Sequence, residues 1–150
     1  MLTSKHQHLQ AEPCPVARAV DVIADRWTLL VVRDAFDGKR RFGDFQRGLG
    51  IARSMLTDRL RNLVAAGIFE VKPASDGTSY QEYVLTSKGS QLFPLIVAFR
   101  QWGERHLFDE GEAYSQLLET ASGEPLELMS PTTVNGRTIR PEETTVRKVR

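Results

Sequence analysis

The feature that most constrains this chain is a change of hydrophobic period at Gly67. Before it, apolar residues recur at three- and four-residue steps in segments broken by glycine; after it, they alternate. Phe42, Phe45 and Leu49 mark a short helix from about Arg41 to Gly48. Gly50 ends it. Leu56, Leu60, Leu63 and Val64 then give a buried stripe to a second helix, from about Ala52 to Ala66, with Gly67 at a C-cap position. From Ile68 to Pro73, Phe69 and Val71 alternate with Glu70 and Lys72. Ser75-Asp76-Gly77-Thr78 is a turn signal, and Tyr80 to Thr86 returns as a second strand with Tyr83 and Leu85 on one face. Helix, glycine turn, amphipathic helix and hairpin, in that order, predict a winged helix-turn-helix. The expected fold class is α+β and mainly helical.

The flanking segments extend this unit. Residues 1–13 are polar and aperiodic and read as a flexible lead-in. Pro15 suits the first position of a helix, where its missing N–H leaves nothing unbonded. Val16, Val20, Ile23, Trp27 and Leu30 give that helix one apolar stripe, which runs to between Asp34 and Asp37, before Gly38. Behind a cap at Thr86 or Ser87, a late helix is expected from about Lys88 to Leu107. Leu92, Leu95, Ile96, Phe99, Trp102 and His106 make it apolar over a wide arc. A small core is already complete by then, so these long helices need another surface. The expectation is a homodimer with Val16, Val20, Ile23, Phe99, Trp102 and His106 at its interface. Residues 14–108 form the domain, and 109–150 a tail of different character. Six carboxylates and no Lys or Arg fall between Asp109 and Gly136, and the end of the tail is basic. Asn135-Gly136 is a turn signal for a β-hairpin in this tail.

Charge placement points to the partner. The 150 residues carry a net charge of only +1, so no global field draws the chain to nucleic acid. From Lys39 to Arg61, however, seven cations face two carboxylates, a local +5. The excess falls on the two helices that a helix-turn-helix lays across duplex DNA, where phosphate neutralisation supplies much of the affinity. Lys39, Arg40 and Arg41 precede the first of these helices. On the second, removing the buried stripe leaves Arg53, Ser54, Thr57, Asp58 and Arg61 outward. Arg can bridge O6 and N7 of guanine, and Ser or Thr can bond base or phosphate. Asp58 can accept from a cytosine amine, or orient Arg61 or Arg53. In the hairpin, Lys72, Ser75, Thr78 and Tyr80 are the candidates for sugar-phosphate or minor-groove contact.

Other classes find less support. Purely apolar runs such as Leu29 to Val32 are too short to span a bilayer, and the first residues lack the apolar core of a signal peptide. With one cysteine there is no internal disulfide framework, which suits a reducing cytosol; the expected location is cytoplasmic. No glycine-rich phosphate loop or triad order supports catalysis, and no cofactor is expected. His6-Gln7-His8 has a spacing used by some metal sites but no third ligand near it. A winged helix that binds protein instead of DNA is the main alternative, and the basic second helix argues against it.

Cys14-Pro15-Val16, Ala24-Asp25-Arg26-Trp27-Thr28-Leu29-Leu30, Arg41-Phe42-Gly43-Asp44-Phe45, Ile51 through Leu60, Tyr83-Val84-Leu85-Thr86, Gly89 and Trp102-Gly103 together resemble the HxlR family of bacterial winged-helix regulators. The resemblance covers residues 14–107. It implies a dimeric transcriptional regulator whose first and last helices form the dimer. It also draws attention to Cys14, expected at the N-cap of the first helix, where peptide dipoles favour a thiolate. Several family members use a cysteine at the matching place to sense quinones, aldehydes or oxidants. The resemblance therefore suggests Cys14 as a sensor of a small electrophile or oxidant. Its options are an adduct, a mixed disulfide or a bridge between subunits. The alternative is a structural Cys14 that packs the helix start, in a regulator gated by another small-molecule effector. Some relatives carry a zinc ribbon in the tail. Here the matching stretches Ala121-Ser122-Gly123-Glu124 and Val134-Asn135-Gly136-Arg137 hold no cysteine, so a four-thiolate zinc site is impossible and no metal is expected.

Overall fold

The computed structural model describes residues 9–150; the His6 and His8 considered above lie outside them. The chain forms two compact units, one ending at Phe93 and the other spanning Pro94–Arg150. The first contains α1 (Pro15–Ile23), α2 (Arg26–Phe36), α3 (Phe42–Leu49), α4 (Arg53–Ala65), β1 (Phe69–Pro73), β2 (Gln81–Leu85) and the short α5 (Ser87–Ser90). Its core is made by Val31 and Val32 of α2, Phe45 of α3, Leu56, Leu60 and Leu63 of α4, and Ile68 and Phe69 entering β1, all essentially inaccessible. The Leu56–Leu60–Leu63 stripe is buried as its spacing predicts, while Val64 is only half-buried.

The turn between α3 and α4 depends on Gly50. Its backbone is left-handed (φ 63°), and its N–H closes α3 by bonding the carbonyl of Gln46 at 2.9 Å. A side chain at this φ would be strained, so glycine sets the angle at which α4 departs. β1 and β2 are antiparallel, with Phe69 opposite Leu85 and Val71 opposite Tyr83. One face of this hairpin therefore carries Phe69 and Tyr83, whose rings lie 6.5 Å apart, and Phe69 in turn lies 6.3 Å from Phe45. This aromatic row joins the hairpin to the helices.

Two expected helices are broken. The helix expected from Pro15 to between Asp34 and Asp37 is two helices, because Asp25 leaves the ladder (φ −119°, ψ 138°) to cap α2. Its carboxylate accepts the N–H and hydroxyl of Thr28, each at 3.0 Å. The late helix expected from Lys88 to Leu107 is likewise α5 and, separately, α6 (Phe93–His106). Pro94 has no N–H to donate to the turn before it, so the two cannot run together. Thr86 caps α5, accepting from the N–H of Gly89 at 3.0 Å.

In the second unit, α6 is lined by tail segments. Gln101 donates to the carbonyl of Glu127 (3.0 Å) and accepts from the N–H of Met129 (2.8 Å), and Arg100 donates to the carbonyl of Ser115 (2.7 Å). The hairpin expected around Asn135-Gly136 is present as a single bridge between Thr132 and Thr138, with Gly136 left-handed at its turn. A second tight turn is closed by a bridge between Leu118 and Pro125. Among the described residues, no helix is long and apolar enough to cross a membrane.

Asp25 also receives Arg59 of α4, whose Nε lies at 2.8 Å and Nη2 at 3.4 Å. The Arg59 guanidinium, with help from Thr28, holds the Asp25 carboxyl down to about 2. A depressed folded value means that ionised Asp25 stabilises the fold above the ordinary carboxyl value near 3.8, and that this contribution is lost as the pH falls through about 2. The urea midpoints of wild type and Asp25→Asn are therefore expected to differ at about pH 6 and to converge between about pH 4 and pH 2. A gap that does not change with pH would mean that the Asp25 contact is not ionic.

Candidate nucleic-acid interface

α4 begins with Ala52 extended as its N-cap, so Arg53 and Ser54 occupy the open first turn. Because Leu56, Leu60 and Leu63 point inward, the helical period places Arg53, Ser54, Thr57, Asp58 and Arg61 on the opposite side. All five are exposed, and together they line one shallow groove along the helix. The hydroxyl of Thr57 donates to the carbonyl of Arg53 at 2.9 Å and so turns back onto the helix. The Arg53 guanidinium stacks over the Phe42 ring at 4.9 Å, which holds it beside the start of α3. Among the described residues, neither Arg53 nor Arg61 has an ion-pair partner. Asp58 pairs with Arg59 at 3.2 Å, not with Arg53 or Arg61.

The cations before α3 are engaged otherwise. Lys39 reaches the buried carboxylate of Asp34 at 3.0 Å, and Arg33 holds the same carboxylate at 2.8 Å. Arg40 approaches Glu82 at 3.6 Å, and Arg41 pairs with Asp76. On the hairpin, Lys72 is exposed and lies 3.1 Å from Glu70. Ser75 gives its N–H and hydroxyl to Glu82, at 3.2 and 3.1 Å. These bonds, with the charge of Arg40, hold the Glu82 carboxyl below its ordinary value. Thr78 gives its N–H and hydroxyl to Asp76, at 3.0 and 2.8 Å. Asp76 is held down to about 2, first by Thr78 and then by Arg41. Tyr80 is exposed with Arg41 stacked on its ring. Sequence reasoning thus gathered the α4 face correctly as one surface but missed the carboxylates that the other cations meet. Asp34, Asp76 and Glu82 carry no local signal that marks them as partners.

The residues expected at a dimer surface are open in the protomer. α1 buries none of its nine residues, and Val16 and Val20 are exposed on it, with Ile23 half-buried. On α6, Phe99 and Trp102 are each more than half exposed, and the Trp102 ring lies 5.2 Å from that of the exposed His106. Cys14 is exposed, stands at the N-cap of α1 and forms no cap hydrogen bond. Among the described residues, no cluster of His, Cys, Asp and Glu is arranged to hold a metal ion.

A helix-turn-helix with an open polar face on its second helix and a hairpin beside it defines a winged-helix protein of the transcription-regulator class. The profile of the HxlR-like helix-turn-helix family matches residues 22–110, and the chain belongs to that family. An uncharacterized HTH-type transcriptional regulator of Mycobacterium tuberculosis is 48% identical over 92 residues, which are 61% of this chain and 58% of the relative. The chain thus matches a little over half the length of that relative. The crystal structure of PA1607, a proposed transcription factor, is similar at a TM-score of 0.88 and 48% identity, covering 95% of this chain and 99% of that one. The redox regulator HypR in its reduced form is similar at a TM-score of 0.57 and 35% identity, covering 63% of this chain and 94% of HypR.

Proposed function

We propose that this protein is a sequence-specific transcriptional regulator that binds duplex DNA as a homodimer, with α4 in the major groove. The observation that carries this reading is the α4 face, where Arg53, Ser54, Thr57, Asp58 and Arg61 are exposed together and the two arginines have no ion-pair partner among the described residues. An Arg free of carboxylates is available to a guanine edge or a phosphate, whereas a paired one must first give up its partner. Lys72 is exposed on the hairpin but lies 3.1 Å from Glu70, so a backbone contact there would first draw it from that carboxylate. The apolar stripe of α1, which buries nothing, and the exposed Phe99 and Trp102 of α6 favour a second copy of the chain as their cover. On the protein's own upstream DNA, fluorescence anisotropy is expected to give tight binding, weaker on a scrambled duplex and steeply dependent on salt. Arg61→Gln should weaken it. If Arg61 meets a phosphate, the slope of log K against log salt falls by about 0.9; if it meets a base, the slope holds and discrimination falls by about 1–3 kcal/mol. No binding to either duplex even at low salt would favour a protein-binding winged helix.

A second element concerns control. Exposed Cys14, whose thiol makes no cap hydrogen bond at the start of a helix proposed to lie in the dimer, is placed to react with a small electrophile or oxidant. The likeness to HypR, described as a redox regulator, supports this reading. The modification would change the spacing of the two α4 helices and so release DNA. Treatment with diamide or a quinone is expected to weaken DNA binding of the wild type and leave Cys14→Ser unaffected. Equal loss in both proteins would place the control elsewhere.

A further inference from the structure

We propose that Arg41, with Asp76 and Tyr80, is a brace that fixes the wing against the helix-turn-helix. Its part in DNA binding, which rests on the reading above, is then to position the wing and not to hold a phosphate. A cation kept for phosphate stands open to solvent with no carboxylate on it, as Arg61 does. Arg41 differs on both counts. Its Nη2 donates to the Asp76 carboxylate at the hairpin turn, and the face of its guanidinium lies 5.0 Å from the Tyr80 ring centroid, at the far side of the same turn. Only about a third of its side chain is exposed.

Asp76 is itself fixed, and the carbonyl of Tyr80 accepts the N–H of Ala74 at 2.9 Å. The other oxygen of Asp76 accepts the N–H and hydroxyl of Thr78, so the turn is locked around the carboxylate that Arg41 grips. The neighbouring residue supplies parallel ties. The carbonyl of Arg40 accepts the N–H of Tyr83 at 2.7 Å, and its guanidinium approaches Glu82, which is 5% exposed and bonded by Ser75. Arg40 and Arg41 therefore run along the outer edge of β2 and hold the hairpin at its turn and at its strand. Between α3 and this hairpin lies an open groove of about 1010 Å³, bordered by Phe42, Arg47 and Arg53 on one side and Tyr80 and Gln81 on the other. Arg41, Asp76 and Tyr80 line this groove as well, so the brace that joins them sets its width. A phosphate drawn onto Arg41 would compete with Asp76 for the guanidinium, which would loosen the turn and set a second anion beside a carboxylate. A lysine could keep the charge but could not stack and hydrogen-bond with the same planar group.

The test is a double-mutant cycle of Arg41→Gln and Asp76→Asn, read in two ways. Asparagine keeps an oxygen for Thr78, so the turn itself is preserved, and an unchanged thermal midpoint checks the fold. In the free protein, hydrogen exchange across residues 74–83, including the Tyr83 amide, is expected to quicken by roughly tenfold in either single variant and no further in the double. On DNA, Asp76→Asn is expected to weaken binding several-fold with the salt slope unchanged, as is Arg41→Lys. Tighter binding by Asp76→Asn, with a slope steeper by about 0.9, would overturn the brace and make Arg41 a phosphate ligand that Asp76 masks. Unchanged exchange in the wing of Asp76→Asn would overturn it as well. If the wild type binds no duplex at all, the DNA reading fails, and the exchange measurement still decides the brace.

Discussion

Four hydrogen bonds converge on the Asp25 carboxylate, from the N–H and hydroxyl of Thr28 and from two nitrogens of Arg59, and the arrangement of the helical unit follows from them. The first pair starts α2 and so ends α1, which leaves the core and buries nothing. The second pair fixes the middle of α4 to the same point. With Arg59 held there and Leu56, Leu60 and Leu63 in the core, the rotation of α4 about its axis is determined, and Arg53, Ser54, Thr57, Asp58 and Arg61 must face outward. One side chain thereby joins the start of α2 to the middle of α4.

The basic charge of the helix-turn-helix is divided among several tasks. Lys39 satisfies buried Asp34, Arg59 satisfies Asp25, Arg40 and Arg41 hold the wing, and Arg47 pairs with Asp44 at 2.6 Å. Arg53 and Arg61 are the two with no carboxylate among the described residues. The local excess of +5 between Lys39 and Arg61 therefore overstates what a duplex would meet, because Asp25, Asp34, Asp76 and Glu82 lie outside that stretch of sequence and fold back onto it. Affinity in such a protein depends less on the number of cations than on how many are left unpaired at the surface.

This division explains what could be read from the sequence. Periodicity is a local property, and it gave α3, α4, the hairpin and the outward face of α4 within one or two residues. Gly50 and Gly67 ended the helices they were expected to end. Two breaks were missed although each had a local signal: Asp25 three residues before Thr28 is a cap pattern, and Pro94 inside an apolar run interrupts a helix. The pairings of Asp34, Asp76 and Glu82 had no such signal. Glu82 alternates with Tyr83 as a solvent-facing residue would, yet it is buried because Ser75 and Arg40 close over it. Contacts of this kind depend on how elements meet, which no short stretch of sequence encodes.

As a DNA-bound homodimer, two copies of this chain would present their α4 helices to successive major grooves. This arrangement is tested most directly by the distance between spin labels at Asn62→Cys, an exposed α4 position beside the reading face, in a Cys14→Ser background bound to duplex DNA. One distribution is expected, centred near a turn of the duplex, roughly 34–36 Å, and widened by the label tethers. No dipolar coupling, or a centre far from that spacing in the bound state, would contradict it.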